Sequence, residues 1–344
     1  MSLQAQIEKR WYAASPGILI GLAPLAWLFT LLARRRRQHA ERTRTRLAVP
    51  VVVVGNINIG GTGKTPVLVA LVQHLQRQKK RVGVVSRGYG RSRSGLALAR
   101  SSSTASDIGD EPLEIFTATN CPLAVAETRR EAIEGLLASH QLDVILSDDG
   151  LQHYAMYRDV EIAVVGKEQG FGNGWCLPVG PLREPIDRLS ECDFVLVNSG
   201  VVGSTRATAA HESLRAIPTG KASEFFIEAC AWVNVRSGAR RELTEFTETS
   251  IIAYAGLGQP KKFFDTLTYL GVDAEFRAKP DHYVYDADAF SDADVDLYLM
   301  TAKDAVKCRD IAPDNAWYLH IQARLAPDFL AQFDERLAQC QAAK

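Results

Sequence analysis

An α/β fold is predicted from two apolar strand runs that end in phosphate-site residues and from strand–helix alternation that resumes after residue 220. Val51-Val52-Val53-Val54 leads into a glycine-rich turn closing on Gly63-Lys64-Thr65, and Asp143-Val144-Ile145-Leu146-Ser147 ends in Asp148-Asp149. The expected architecture is a P-loop Rossmann-like domain, a second and smaller α/β domain, and an N-terminal membrane-associated helix. The divisions fall at residues 1–40, 41–220 and 221–344. A chain of 344 residues is long for a single core, which agrees with more than one domain.

The N-terminus comes first. Trp11 and Tyr12 precede an apolar run from Ile18 to Ala33, closed by Arg34-Arg35-Arg36-Arg37. Its sixteen residues fall short of the roughly 20 needed to cross a bilayer, and Pro24 interrupts them. Four arginines stand where a secretory signal would carry small residues at a cleavage site. The pattern fits an interfacial anchor, with aromatics at the headgroups, an apolar helix in the acyl boundary and arginines on anionic lipid. The arginines also point to the cytoplasmic side. A buried helix capping the domain is the competing reading.

The valine run reads as a parallel strand buried on both faces. Glycines let backbone N–H groups approach a ligand, and the helix that Gly63-Lys64-Thr65 opens favours an anion at its first turn. Asn58, Ile59, Gly60, Gly61, Thr62, Gly63, Lys64 and Thr65 are therefore the candidate ATP contacts, although the strict motif has glycine at the Asn58 position. Lys64 would reach the β/γ-phosphates and the Thr65 hydroxyl would ligate Mg²⁺. Asp148 and Asp149 form the Walker B acid pair, placed near that same ion.

Between these signals, Val82 to Val85 is a strand that delivers Ser86-Arg87-Gly88-Tyr89-Gly90-Arg91 to the ligand edge of the sheet. Residues 92–106 read as a mobile Ser/Arg-rich loop, followed by Gly109-Asp110-Glu111-Pro112 at a helix entrance. Arg129 and Arg130 oppose the dipole of the helix they open, which suggests an anionic ligand or a solvated surface. A rigid Gly/Pro loop carries Arg183 and Glu184. In the second domain, strand and helix alternate from Ile251 to Gln339, and Asp281-His282-Tyr283 stand on a loop after a strand.

Net charge is zero, which excludes a nucleic-acid binder held by overall field. Six scattered cysteines show no zinc spacing and read as buried residues of a reducing compartment. A GTPase would carry an Asn-Lys-x-Asp reader. Asn198-Ser199-Gly200 lacks the lysine, and Thr301-Ala302-Lys303-Asp304 has it one place late. A kinase needs a P-loop, Mg²⁺ ligands, a base and an acceptor surface, and candidates for all four are present. The alternative is a membrane-associated P-loop ATPase with an assembly or transport role.

Taken in order, Gly60-Gly61-Thr62-Gly63-Lys64-Thr65-Pro66, Ser86-Arg87-Gly88-Tyr89-Gly90, Gly109-Asp110-Glu111-Pro112, Asp148-Asp149-Gly150-Leu151-Gln152-His153, Gly180-Pro181-Leu182-Arg183-Glu184-Pro185 and Asp281-His282 resemble the tetraacyldisaccharide 4′-kinase family. In that family Asn58 is normal, whereas Ala302 stands where an acid is usual. The resemblance implies transfer of the ATP γ-phosphate to the 4′-hydroxyl of a tetraacyldisaccharide 1-phosphate, giving lipid IVA for lipid A and lipopolysaccharide. It implies Mg²⁺, a glycolipid substrate, a monomer, and a site at the cytoplasmic face of the bacterial inner membrane. Two Rossmann-like domains would be joined by a two-stranded linker. By similarity, Asp110 is the base that activates the hydroxyl and His282 its dyad partner. Asp148 and Asp149 hold Mg²⁺ and order the γ-phosphate, while Glu111, Arg129, Arg183 and Glu184 line the acceptor site. Catalysis would then require the cleft between the domains to close.

Overall fold

The computed structural model describes residues 3–203, 210–244 and 248–342. Within them one sheet of thirteen strands runs through both halves of the protein. Across the sheet the order is Glu275–Ala278, Ile251–Ala255, Leu297–Thr301, Ala316–Leu325, Ala222–Asn234, Phe194–Val201, Val160–Gly166, Val51–Gly55, Val144–Asp148, Val82–Ser86, Leu123–Val125 and Ala97–Leu98. Arg240–Arg241 pairs with the Ala222–Asn234 strand off this path.

Val51–Gly55 lies between Val144–Asp148 and Val160–Gly166, parallel to both. Its valines alternate between two cores. Val52 and Val54 pack with the Lys64–Arg77 helix, while Val51 and Val53 pack with Ile133 and Leu136 of the Arg129–Ser139 helix. An unbroken valine run is therefore apolar on both faces because helices cover both. The central position of this strand sets the glycine turn in the middle of the sheet's C-terminal edge, where α/β proteins bind ligands.

The second half is a parallel sheet with its own two cores, one around Leu267 and Trp317 and the other around Tyr254 and Met300. Two long antiparallel strands, Ala222–Asn234 and Ala316–Leu325, join the halves. The first pairs with Val195–Val201 of the P-loop half and the second with Tyr298–Thr301 of the other. Alternation predicts a strand only over Trp317 to Ile321; the observed strand continues to Leu325 because its far end pairs down to Phe225. The closing helix Pro327–Ala342, counted by sequence with the second half, buries Phe329, Phe333 and Leu337 in the core of the first.

Three local expectations change. Residues 92–106 are not loop throughout, since Ala97–Leu98 pairs with Ala124 and Val125, and Ala105 opens a short helix. Five cysteines are buried, but Cys230 is exposed on a joining strand. Trp11 and Tyr12 turn their polar atoms to the protein. The Trp11 indole donates to the Pro178 carbonyl at 3.0 Å and the Tyr12 hydroxyl to the Ile59 carbonyl at 2.8 Å. Those bonds hold the Leu3–Trp11 helix against the P-loop half.

Residues 17–43 form one helical run of 27 residues, with mean hydropathy 1.8 in its most apolar window. That is long and apolar enough to cross a membrane by length and composition. Ile18 is 88% exposed and Trp27 66%, with Leu25, Leu28 and Leu31 exposed beside them. Arg34 and Arg37 pair with Asp187 and Glu191 of the P-loop half at 2.5 and 2.7 Å, while Arg35 and Arg36 stand exposed.

Candidate active site

Gly60 (φ +108°) and Gly63 (φ +95°) take left-handed backbone that other residues rarely adopt. A Cβ on Gly63 would lie 2.7 Å from the Asn198 amide nitrogen, which donates to the Thr62 carbonyl at 3.1 Å. No side chain caps the first turn of the Lys64–Arg77 helix, so its amides are left for a ligand. Asn58 plays a different part. Buried, it donates to the Gly170 carbonyl at 2.7 Å and braces the turn from behind. Ile59 likewise bonds away from the cavity, its N–H to the Pro181 carbonyl at 2.8 Å.

The acid pair splits in character. Asp148 is buried and accepts from the Ser86 hydroxyl at 3.2 Å. Burial first, then the charges of Glu111 and Asp149, raise its pKa to about 7. Asp149, in left-handed backbone (φ +44°), accepts from Arg183 at 2.9 Å and lies 3.7 Å from Lys64 Nζ. Burial acts to raise its pKa, but Lys64 and Arg183 outweigh it and hold the carboxyl below the usual range. One oxygen on each aspartate, Asp148 Oδ1 and Asp149 Oδ1, is buried without a hydrogen-bond partner. Two carboxylate oxygens without hydrogen-bond partners, on residues that line one cavity with Thr65, suit a hard cation, which commonly takes one or two carboxylates and completes its shell with phosphate and water.

Arg129 and Arg130 diverge. Arg130 turns to Glu134 on the surface at 2.7 Å. Arg129 is buried and donates to the Asp148 carbonyl at 2.7 Å, leaving Nη1 unpaired. Burial lowers its pKa to about 10. Glu184 is set behind the wall rather than on it, accepting from Gln152 at 2.7 Å and lying 3.3 Å from Arg188. Gln152 also donates to the Asn56 carbonyl at 3.0 Å, and Arg183 Nη1 is 3.4 Å from its Oε1. The acid thus secures the arginine's surroundings. Glu111 stands on the cavity wall, 3.3 Å from Lys303 Nζ.

Asp110 begins the Asp110–Thr119 helix, directly after Gly109, whose Cβ would meet the Tyr89 carbonyl at 2.8 Å. Across the cleft, His282 brings Nδ1 to 3.0 Å from Asp110 Oδ2. The Tyr89 ring lies 5.1 Å from the imidazole. Two residues far apart in sequence and belonging to different halves therefore meet as the resemblance implies. Asp110 is buried behind His282 and Glu111, which both line the cleft. A cavity of about 1850 Å³ runs from Gly60–Thr65 past Arg129 and His282 to Phe29, Leu32 and Ala33 of the N-terminal helix.

Sequence reasoning missed Tyr12, Gln152 as a bridge, and His153, whose pKa burial lowers to about 4. Gln152 and His153 were within reach, because they follow the acid pair directly. Nothing near Tyr12 in the sequence signals a P-loop contact.

What faces the glycine turn separates hydrolysis from transfer. A carboxylate 3.0 Å from an imidazole of the other half is suited to drawing a proton from an alcohol, so the class is a P-loop phosphotransferase. Residues 18–338 match the family model described as Tetraacyldisaccharide-1-P 4'-kinase. Relatives named Tetraacyldisaccharide 4'-kinase include that of Pseudomonas fluorescens (strain Pf0-1), 40% identical over 98% of this chain and 97% of its own. That of Pseudomonas syringae pv. syringae (strain B728a) is 39% identical over 98% of both chains. The crystal structure of LpxK from Aquifex aeolicus in complex with ATP superposes with a TM-score of 0.77 at 26% identity, covering 93% of this chain and 99% of that one. The chain belongs to the tetraacyldisaccharide 4′-kinase family. A separate ATPase role in assembly or transport is not favoured.

Proposed function

We propose that the cleft transfers the γ-phosphoryl group of ATP to the 4′-hydroxyl of a tetraacyldisaccharide 1-phosphate, with the residues named above in these roles. The P-loop amides and Lys64 hold the triphosphate, and Arg183 steadies Asp149 beside it. Asp110 takes the hydroxyl proton as the sugar oxygen bonds to the γ-phosphorus and the bond to the β-phosphate oxygen breaks, releasing ADP. His282 Nδ1 orients that carboxylate. Asp148, Asp149 and Thr65 would hold Mg²⁺, which supplies charge neutralisation for the phosphates when bound. Arg129, with one unpaired nitrogen, and Glu111 receive the acceptor.

One observation carries this reading: His282, 3.0 Å from the buried Asp110, lines a cavity that starts at the glycine turn and ends on the helix whose outer face is apolar. A lipid-linked sugar can then enter from a bilayer while its nucleotide partner enters from water. The anchor (1–40), the nucleotide half (41–220) and the half carrying His282 (221–344) divide the work accordingly. The protein is proposed to act as a monomer at the cytoplasmic face of the inner membrane, with residues 17–43 in one leaflet. Purified protein mixed with ATP, Mg²⁺ and the tetraacyldisaccharide 1-phosphate should give a bis-phosphorylated lipid. Phosphate released only to water would overturn the reading.

A further inference from the structure

We propose that Lys303 is a positioning residue for the transfer: it bridges Glu111 of one half and Asp281 of the other, holding the cleft closed and setting His282 against Asp110. The inference rests on the assignment of Asp110 and His282 as the reacting pair.

Lys303 lies in the first turn of the Ala302–Cys308 helix, where a cation opposes the helix dipole. Its side chain is 9% exposed. An ammonium group buried at the unfavourable end of a helix persists only with anionic partners. It has two: Asp281 Oδ1 at 2.9 Å and Glu111 Oε1 at 3.3 Å. Burial alone would lower the lysine pKa, yet these two carboxylates raise it above the usual range.

The helix is firmly placed. Asp304, fully buried, accepts from the Gly256 N–H at 2.9 Å and from the Thr301 hydroxyl at 2.7 Å, and Lys307 lies 2.9 Å from its other oxygen. Lys303 therefore projects from a fixed base. Its partner Asp281 uses the same Oδ1 to accept the backbone N–H of His282 at 3.0 Å. His282 is in left-handed backbone (φ +59°), which a non-glycine residue keeps only when its surroundings hold it there. An unbroken chain of contacts thus runs from Lys303 through Asp281 to the His282 backbone, while the other arm of the lysine grips Glu111, next to Asp110. Without the ammonium, Glu111 and Asp281 would face each other across the cleft as like charges and favour its opening.

The test uses the full-length protein with Lys303→Met, which removes the charge and keeps the chain length, Lys303→Arg, His282→Ala and the double variant. Lys303→Met should lower kcat by roughly 10–100-fold, the scale of a misplaced reacting group, and change the ATP KM by less than about threefold. Lys303→Arg should recover most of that loss. In the His282→Ala background, Lys303→Met should cost far less than it does in the parent. A wild-type kcat in Lys303→Met, or a loss that persists in full without His282, overturns the proposal. Should Lys303→Met fail to fold, Asp281→Asn cuts the same chain, and wild-type kcat there overturns it equally. A His282→Ala enzyme at full rate would instead sink the assignment of the pair, which separates the two failures.

Discussion

Arg183 reaches Asp149 at 2.9 Å, closer than the 3.7 Å between Lys64 and the other oxygen of the same carboxylate. Two cations from different loops thus converge on one acid at the mouth of the glycine turn. A triphosphate arriving there meets positive charge already in place, balanced by a single carboxylate whose second oxygen accepts no hydrogen bond.

Asp149→Asn should leave the two cations without their counter-ion and remove a candidate metal oxygen. The expected loss in kcat is roughly 10²–10³-fold, with the melting temperature near that of the parent. Lys64→Ala should abolish transfer in the same assay. Full turnover by either variant would remove that residue from the phosphate site.

Asp110→Ala should lower kcat by roughly 10²–10⁴-fold, the range for losing a general base. His282→Ala should act in the same direction with a smaller effect, because it removes the brace and leaves the carboxylate. A pH–rate profile that is superimposable on the parent's in Asp110→Ala would reject proton abstraction by this residue.

Glu114 lies one helical turn beyond Asp110 and lines the cavity. Burial, followed by the charge of Glu111, raises its pKa from 4.5 to about 8. The folded state therefore holds this proton more tightly than the unfolded chain does, so stability falls as pH rises from about 4.5 to about 8. Glu114→Gln should melt higher than the parent at pH 8 and show a shallower decline across that interval. Melting curves at pH 5 and pH 8 decide it, and a parallel decline in both proteins would show that Glu114 does not titrate there.

Trp27, Leu28 and Leu31 present apolar side chains to solvent. Lysine at two of these positions should release the protein from anionic vesicles in a sedimentation assay. The melting temperature should hold, since none of the three belongs to the buried cores. Unchanged vesicle binding would place the attachment elsewhere.

Much of this site could be read before any coordinates. Val51–Val54, Gly63-Lys64-Thr65 and Asp148-Asp149 are local patterns whose chemistry follows from neighbours in sequence. Asp110 and His282 are polar candidates in the sequence, but their pairing came from resemblance, because no periodicity links positions so far apart. Other features stayed hidden for the same reason. Glu184 was expected on the acceptor wall, but a buried Arg188 one turn on and Gln152 claim it. Tyr12 reads as an interfacial aromatic, and nothing local in sequence signals that its hydroxyl bonds to Ile59. The closing helix carries an ordinary amphipathic pattern, and only the path of the preceding strand decides which core receives it.

The ladder between Ala222–Asn234 and Ala316–Leu325 has one irregularity in register, between His320 and Ile321. Beyond it, the second strand runs into a helix locked in the first core. The half carrying His282 is thus mounted on a two-stranded ladder, clamped at one end and interrupted at one spot. Flexure there, with release of the Lys303 bridge, would admit a bulky lipid, and recoil would return His282 to its place after each product leaves.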